Sequence, residues 1–341
     1  MIKIALDAMG GDFGPSVTVK GALKALEQFS DITIQLFGDQ NQIEKYLTGE
    51  SRITIVHSDS VIDMGEQNPV RAIRNQRDSS MVMAMQSVKD GKNDAVVSAG
   101  ATQALVVGAH LIIRRMEKMR RVALAPIIPS LDKRGKILLD VGANIELRPE
   151  HLLELAIYAT VVAELYLKRD KPTVGLINIG VEEGKGREID KQTFNYLKES
   201  KLINFFGNVE SQEIFTTKCD ILITDGFTGN IVLKTMEGTA KALGEMLKEE
   251  IGSSFGGKIG YLFMKKNLGR FAKRLDASEI GGTLIYGLNS PVIKAHGASN
   301  ELAIFNAIRQ ARAFVEANII EKVSEHLNQM PDFSEVGDDN K

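Results

Sequence analysis

Short apolar runs rich in β-branched residues alternate along the chain with longer segments of helical periodicity. Five of the apolar runs end in a small polar loop that contains glycine, and they span residues 2–6, 94–97, 136–139, 174–178 and 220–224. Runs of this length and composition are typical of buried parallel strands. Their alternation with helices predicts an α/β fold, a Rossmann-like doubly wound sheet with right-handed crossovers.

Helices are predicted where apolar residues recur at helical spacing, in several cases after a proline suited to a first turn. These segments cover residues 15–29, 69–77, 79–89, 102–116, 149–167, 190–199 and 231–250. The segment that Pro69 opens places Arg71, Arg74 and Arg77 on one face. Two further strand-like runs lie at 32–37 and 53–56.

The loops after the five apolar runs are the first candidates for chemistry. Ligands of open α/β sheets bind just beyond the carboxyl ends of the strands, so we expect these loops to form one rim. Its candidate residues are Asp7, Gly10, Gly11, Asp12, Ser98, Gly100, Thr102, Asp140, Asn144, Asn178, Lys185, Asp225 and Asn230. Carboxylate, amide and hydroxyl groups, a lysine and free backbone N–H groups together suit a small oxyanion.

Each of these loops also has a purely structural interpretation. Ser98 or Thr102 fits a helix N-cap as well as an anion site, and the glycines at 10 and 11 fit a tight turn. Lys185 stands between two glycines and close to Asn178, where a structural role is harder to find and a phosphate is within reach. The joint placement of the loops favours the anion site.

Composition and charge exclude several classes of protein. The chain has 341 residues, 43% of them apolar and 25% charged, with a net charge of −2, which disfavours a general nucleic-acid binder. The single cysteine, Cys219, excludes an internal disulfide and fits a core thiol. The histidines lack metal-ligand spacing, no G-x-G-x-x-G motif follows a strand, and the segment 180–186 is one residue short of a P-loop. We therefore expect no metal and no cofactor.

Two segments depart from the alternating pattern. Residues 251–275 contain six Lys and Arg, no acid and interspersed Phe and Leu, which is typical of a helix lying on an anionic membrane surface. A packed helical protrusion at a dimer interface, at about 236–278, explains the same pattern, and the two roles are compatible. The acidic tail 331–341 is predicted to be disordered, which leaves 1–330 as a single domain. The N-terminal run is too short for a signal peptide and no run is long enough to span a bilayer, so we expect a cytoplasmic protein.

A set of motifs in fixed order resembles one bacterial family. They are DAMGGDFGP at 7–15, SAGAT at 98–102, LLDVGAN at 138–144, NIGVEEGKG at 178–186, TDGFTGNIVLKTMEG at 224–238 and KAHGAS at 294–299. This set resembles the phosphate acyltransferases, the acyl-ACP:phosphate transacylases of the PlsX family, over nearly the whole chain up to about residue 320. The family's second loop usually reads SAGNTGA, so Ala101 and Gln103 are departures that indicate a slightly altered pocket.

The resemblance implies a fold like that of phosphate acetyltransferases and isocitrate dehydrogenases. It also implies transfer of a fatty acyl group from acyl carrier protein to phosphate, giving an acyl phosphate for a membrane glycerol-3-phosphate acyltransferase in phospholipid synthesis. The family forms homodimers and associates peripherally with the inner face of the cell membrane. The predicted membrane contacts are Ile259, Leu262, Phe263, Lys265, Lys266, Leu268 and Phe271.

Direct displacement at the thioester is the simplest chemistry for the candidate residues, because positioning alone lowers such barriers by about 7–11 kcal/mol. The phosphate ligands are expected to include Ser98, Gly100, Thr102, Lys185, Asn178, Asp7, Gly10, Gly11 and Asp225. The candidate catalytic residues are Lys185, Asn144, Asn230 and His296, the asparagines and the histidine as groups that polarise the carbonyl or protonate the thiolate. Lys185→Ala is expected to abolish acyl-phosphate formation.

Two other functional classes stay open from the sequence. An NAD-dependent dehydrogenase of isocitrate-dehydrogenase-like fold also lacks G-x-G-x-x-G, and a non-catalytic membrane adaptor would use the segment 251–275 alone.

An acidic carrier protein calls for a basic docking patch, for which the Arg71–Arg74–Arg77 face and the 258–274 cluster both qualify. A solvated helix face is the better explanation of the arginines.

Overall fold

A computed structural model describes residues 1–47, 49–275 and 281–330 as alternating strands and helices. The strands are β1 (Ile2–Asp7), β2 (Ile32–Gly38), β3 (Ile53–His57), β4 (Ala95–Ser98), β5 (Ala123–Ala125), β6 (Ile127–Ile128), β7 (Lys136–Leu139), β8 (Thr173–Asn178), β9 (Asn204–Glu210), β10 (Ile221–Ile223), β11 (Thr283–Tyr286) and β12 (Val292–Lys294). The helices are α1 (Pro15–Gln28), α2 (Gln40–Ile43), α3 (Pro69–Asn75), α4 (Ser80–Lys89), α5 (Thr102–Gly108), α6 (Pro149–Leu165), α7 (Glu188–Glu199), α8 (Gly226–Ser253), α9 (Phe255–Leu275), α10 (Glu301–Glu316) and α11 (Ile319–Leu327).

The strands form two sheets. A seven-stranded sheet has the order β3-β2-β1-β4-β12-β11-β5, and a five-stranded sheet has the order β6-β7-β10-β8-β9. The predicted α/β class is confirmed, and the five predicted strands are parallel to their neighbours, except that β7 also pairs with the antiparallel β6. The expectation of one rim is wrong, because β1 and β4 belong to the first sheet and β7, β8 and β10 to the second.

The two sheets meet where the chain passes from β5 to β6. The backbone N–H of Leu138 donates to the Pro126 carbonyl at 3.1 Å, and that of Val141 donates to the Leu124 carbonyl at 3.1 Å. Helix α6 is almost wholly buried and packs on β7, β8 and β10. Its Tyr158 stacks on Tyr286 of the first sheet with ring centroids 4.4 Å apart. One buried helix therefore packs on both sheets.

The predicted helix 102–116 is interrupted. Regular α-helix ends at Gly108, and a π-helical turn continues to Ile113. Arg114 then has a φ of 69°, a left-handed conformation that leaves the helix. The chain returns to strand at β5 after a loop rich in Arg and Lys.

The predicted protrusion corresponds to α8 and α9, which pack on each other, and residues 276–278 of its range lie outside the described residues. Beyond its first turn α8 is mostly exposed. On α9, the predicted membrane residues Ile259, Leu262, Phe263, Lys265, Lys266 and Phe271 are exposed and Leu268 is half-buried. No helix among the described residues is both long and apolar enough to cross a membrane. The acidic tail 331–341 lies outside the described residues, and the single domain 1–330 stays a prediction.

Candidate functional site

A cleft of about 680 Å³ opens between the loops of the two sheets. Its polar side chains come mainly from the end of the first sheet, and they include Thr102, Gln103, Lys294, His296 and Ser299. Val141, Gly142 and Asn230 face them from the second sheet. A long apolar wall completes the cleft and contains Leu124, Pro126, Ile127, Ile128, Pro129, Phe215, Leu233 and Met236. The cleft thus has a polar end and an apolar side.

Three loops at the end of the first sheet, 7–12, 98–102 and 294–299, are joined directly and are called here the first rim. Asp7 is buried and accepts hydrogen bonds from the Ser98 hydroxyl at 2.6 Å and the Gly10 N–H at 3.2 Å. A Cβ atom on Gly10 would stand 2.6 Å from both an Asp7 oxygen and the Gly100 nitrogen, so only glycine fits. The Asp12 N–H donates to the Gly297 carbonyl at 2.9 Å. Asp7, Ser98 and the loop glycines therefore hold this rim together beneath the cleft.

Lys294 is the cation of the first rim. It is the last residue of β12 and pairs with Ser98 of the parallel strand β4. Only 7% of Lys294 is exposed to solvent. Its ammonium donates to the carbonyls of Ala99, at 3.3 Å, and Ala295, and within the described residues it has no ion pair with a carboxylate. Burial lowers the pKa of Lys294 to about 8, against the opposing influence of Asp7 and Asp12. Burial also raises the pKa of Asp7.

Two further groups of the first rim have free hydrogen-bonding capacity toward the cleft. The Ser299 hydroxyl belongs to a residue that is 6% exposed, and it has no hydrogen-bond partner among the described residues. His296 is exposed, and its Nδ1 accepts from the Ala298 N–H at 3.2 Å. With Nδ1 acting as acceptor, the ring carries its proton on Nε2, which is then a donor. Because buried polar groups normally have hydrogen-bond partners, the unpaired Ser299 hydroxyl indicates that the cleft binds a ligand at this position.

The loops 140–144, 178–186 and 225–230 form the second rim, at the end of the five-stranded sheet. Asp140 accepts from the N–H groups of Leu124, at 3.0 Å, and Asn144, at 2.8 Å. It also accepts from the Asn144 side-chain amide at 2.8 Å, and that amide donates a second bond to the Val122 carbonyl at 2.6 Å. Burial nevertheless raises the pKa of Asp140. Both donors of the Asn144 amide are thus occupied inside the protein.

Asp225 and Asn178 likewise form their hydrogen bonds with other groups of the protein. Asp225 caps α8 by accepting from the Thr228 N–H at 2.7 Å, and it pairs with Arg187. Burial raises the pKa of Asp225, but the hydrogen bonds from Thr228 and Arg187 outweigh it, and the pKa falls below its ordinary value. The Asn178 amide donates to the Lys185 carbonyl and to the Asn208 side chain, both at 3.1 Å.

The remaining predicted residues of the second rim differ in their relation to the cleft. Asn230 lines it, opposite Gly142, where an added Cβ atom would lie 3.6 Å from the Asn230 amide carbon. The Lys185 ammonium is half-exposed, lies 3.9 Å from a Glu182 oxygen and is not among the groups that line the cleft. Gly226 and Gly229 let the first turn of α8 pack directly on Asn144 and Asp140.

The structure thus divides the predicted site residues into three groups. Thr102, Asn230 and His296 line the cleft. Asp7, Gly10, Gly11, Ser98 and Gly100 join the loops of the first rim. Asn144, Asn178, Lys185 and Asp225 lie in the second rim outside the cleft lining. Of the two departures from the family motif, Gln103 lines the cleft, and Ala101 is buried just before α5.

Lys294 and Ser299 are cleft residues that sequence reasoning did not select. Both stand in the quoted motif KAHGAS, and the available signal was a lysine at the end of the apolar run Val-Ile-Lys. Among the described residues, no three His, Cys, Asp or Glu side chains approach closely enough to hold a metal ion.

Comparison with solved structures supports the fold. A phosphotransacetylase from Streptococcus pyogenes superposes with a TM-score of 0.61 at 17% identity, covering 94% of each chain. A branched-chain phosphotransacylase from Enterococcus faecalis V583 superposes with a TM-score of 0.55 at 16% identity, covering 92% of this chain and 100% of that one. At this level of identity the likeness concerns the fold alone.

Comparison of sequences is far more specific. A phosphate acyltransferase from Acholeplasma laidlawii is 48% identical over 329 residues, which cover 96% of this chain and 98% of that protein. One from Bacillus cereus (strain G9842) is 47% identical over 323 residues, covering 95% and 97%. The family model described as "Fatty acid synthesis protein" matches residues 2–322. The chain therefore belongs to this fatty acid synthesis protein family, and it is an enzyme of the phosphate acyltransferase type.

Proposed function

We propose that the enzyme transfers a fatty acyl group from acyl carrier protein to inorganic phosphate and releases an acyl phosphate for phospholipid synthesis. The observation that carries this proposal is Lys294, a buried cation without a carboxylate partner among the described residues, at the polar end of a cleft with an apolar wall. A buried charge is costly unless a counter-charge neutralises it, and a phosphate dianion supplies one.

The cleft offers a separate place for each reactant. Phosphate fits the polar end, between the Lys294 ammonium and the hydroxyls of Thr102 and Ser299. The acyl chain fits the apolar wall formed by residues such as Ile128, Phe215 and Met236, because each methylene removed from water contributes about 0.8 kcal/mol. Lys185 stays a predicted phosphate ligand, on a glycine-flanked loop outside the cleft lining.

The reaction needs no covalent enzyme intermediate. A phosphate oxygen attacks the thioester carbonyl carbon, and the new C–O bond forms as the C–S bond breaks. The proton of the hydrogen phosphate passes to the departing thiolate, so the products are an acyl phosphate and a free thiol. The Asn230 amide and the His296 Nε2–H are the groups that stabilise the negative charge on the carbonyl oxygen.

The protruding helices suit the proposed setting of this reaction. The exposed Leu262, Phe263 and Lys266 of α9 are proposed to contact the anionic inner face of the cell membrane, from the cytoplasm. There the product would pass to a membrane glycerol-3-phosphate acyltransferase. The exposed Leu243 and Met246 of α8 are proposed to pack against a second copy in a homodimer.

The decisive assay mixes purified protein with a long-chain acyl carrier protein thioester and inorganic phosphate, without membranes. Hydroxylamine traps the acyl phosphate as a hydroxamate, and the free carrier thiol is counted separately. We expect both products in equal amounts and only when phosphate is present. Thiol release without hydroxamate would identify a thioesterase, and the absence of both products would contradict the proposal.

A further inference from the structure

Exposed cations are concentrated on α3, just after its end at Asn75, and on the loop that follows the π-helical turn. They are Arg71, Arg74, Arg77, Arg114, Lys118 and Arg121, called here the basic face. None of them forms an ion pair with a carboxylate in the described part of the chain. In a protein of net charge −2, such a group of uncompensated cations produces a local positive potential that attracts an acidic partner.

The two halves of the basic face adjoin. Helix α3 packs on α5, and Ile73 Cδ1 lies 3.0 Å from the position of a Cβ atom on Gly108, where the π-helical turn begins. The second half surrounds that turn. Burial lowers the pKa of His110, and the charges of Arg115 and Arg121 lower it further, so their guanidinium groups are near the turn.

Helix α5 connects the basic face with the cleft. Its first residues, Thr102 and Gln103, line the cleft, and Arg114 follows after the helix and its π-helical turn. At a helical rise of about 1.5 Å per residue, the basic face begins roughly 15 Å from the cleft. A partner bound on this face reaches the cleft only if it presents the acyl group on an extended arm.

The chemistry of the basic face fits a protein rather than a lipid surface. Its large apolar side chains with substantial exposure are Val70, at 42%, and Leu111, at 37%. Helix α9 instead exposes Leu262 at 71% and Phe263 at 84% beside its lysines, which is the composition of a membrane-binding helix. A small apolar centre within a charged surface is typical of a transient protein interface.

We propose that the basic face is the docking surface for an acidic protein domain that carries the acyl thioester on a flexible arm. This inference rests on the proposed transfer from a carrier protein. Docking at the basic face steers the carrier to the enzyme and places its arm along α5, with the thioester at the polar end of the cleft. The helices α8 and α9 are left free for the membrane.

The test compares two triple variants that remove equal charge. Arg71→Gln/Arg74→Gln/Arg114→Gln alters the basic face, and Lys258→Gln/Lys265→Gln/Lys266→Gln alters α9. Each is assayed with acyl carrier protein thioester and with a pantetheine thioester of the same acyl chain, which has the arm but no protein. We expect the first triple variant to raise the KM for the carrier about tenfold or more and to flatten its salt dependence, because charge complementarity governs encounter.

The pantetheine thioester and phosphate should keep their KM values in both variants, and the α9 variant should keep the KM for the carrier. An unchanged KM for the carrier in the basic-face variant would overturn the docking proposal, as would a loss of binding to anionic vesicles in that variant alone. Failure of the proposed function is distinguishable, because the unaltered enzyme would then form acyl phosphate from neither donor.

Discussion

The two rims have similar sequences and different roles. Each consists of loops that follow apolar strands and combine glycine with Asp, Asn, Ser or Thr. In the second rim, Asp140, Asn144 and Asn178 form their hydrogen bonds with one another, with nearby backbone or with the Asn208 side chain. In the first rim, Lys294 and Ser299 line the cleft and can form further hydrogen bonds. A polar loop at a strand end is thus a candidate ligand site only where its polar groups lack partners within the protein.

This difference has an energetic basis. A buried polar group contributes about 0.5–1.5 kcal/mol when it is paired within the protein, and its burial is unfavourable when it is not. The polar groups of the second rim therefore stabilise the fold, whereas those of the first rim are available to bind a ligand. Substitutions in the two rims should accordingly change different properties.

The largest expected effect is the loss of activity in Lys294→Met. Removal of this buried cation should lower the rate of acyl-phosphate formation by about 10²–10³-fold. The free energy of unfolding should change by less than about 1 kcal/mol, because relief of the buried charge offsets two lost hydrogen bonds. Steady-state kinetics and urea unfolding measure the two quantities.

Lys136→Met is the matched control. Lys136 is similarly buried, begins β7, is not among the residues that line the cleft, and donates to the carbonyls of Thr217 and Cys219. The same balance of a relieved buried charge against two lost hydrogen bonds applies, so Lys136→Met should also change the free energy of unfolding little, and it should leave the rate unchanged. A Lys294→Met variant with normal turnover, or a Lys136→Met variant without activity, would contradict the assignment.

The next effect concerns stability in the second rim. Asp140→Ala leaves the N–H of Leu124 and the N–H and amide of Asn144 without their acceptor, and it should lower the free energy of unfolding by about 3 kcal/mol or more. Asp140→Asn keeps one acceptor oxygen and should lose less. Urea unfolding midpoints give the comparison, and equal stability of Asp140→Ala and the unaltered protein would refute the role of this rim.

Lys185→Ala tests whether the second rim also supplies a phosphate ligand. We expect at least a tenfold fall in turnover with unchanged stability, since the only ion pair described for this half-exposed side chain is a long contact with Glu182. Lys198→Ala, which removes a surface ion pair with Glu183 at 2.7 Å, serves as control and should remain fully active. Near-normal turnover of Lys185→Ala would assign phosphate binding to the first rim alone.

A smaller effect is expected from Ser299→Ala. The Ser299 hydroxyl has no hydrogen-bond partner among the described residues, so its removal should leave stability unchanged or slightly raise it. The KM for phosphate should rise about fivefold, equivalent to one neutral hydrogen bond of about 1 kcal/mol. A fall in stability together with an unaltered KM would show that the hydroxyl serves the fold.

The smallest expected effect is a fall in activity at high pH. The ammonium of Lys294, with its pKa lowered to about 8 by burial, binds the phosphate dianion while charged, so kcat/KM for phosphate should fall to half its maximum as the pH rises to about 8. Lys294→Arg keeps its charge, and its falling limb should move to higher pH. The lowered pKa also means that the buried charge destabilises the native state below pH 8, and that this penalty fades between pH 8 and about 10.4.

Much of the fold follows from pattern alone, and the exceptions have physical causes. Strand β9 escaped prediction because its sequence, NFFGNVE, contains Gly207 at a φ of 123° and two asparagines, all unfavourable for strands. Strands β5 and β6 have only three and two residues, too few to show a period. The helix after Thr102 is shorter than predicted, because the left-handed residue that ends it is Arg114 and not the glycine that usually marks such a position.

The sequence by itself determined the strand–helix alternation, the polar loops at the strand ends and the motifs that place the chain in its family, since these depend on local periodicity and residue type. Only the tertiary structure decided which loops share a sheet and which polar groups keep free bonds. Lys294 illustrates the reason: its ammonium donates to the Ala99 carbonyl, nearly two hundred residues away in the chain, and its pKa is lowered by burial and partly restored by Asp7 and Asp12, nearly three hundred residues away. Charge and hydrogen-bond balance are properties of packed neighbours, and local sequence does not specify them.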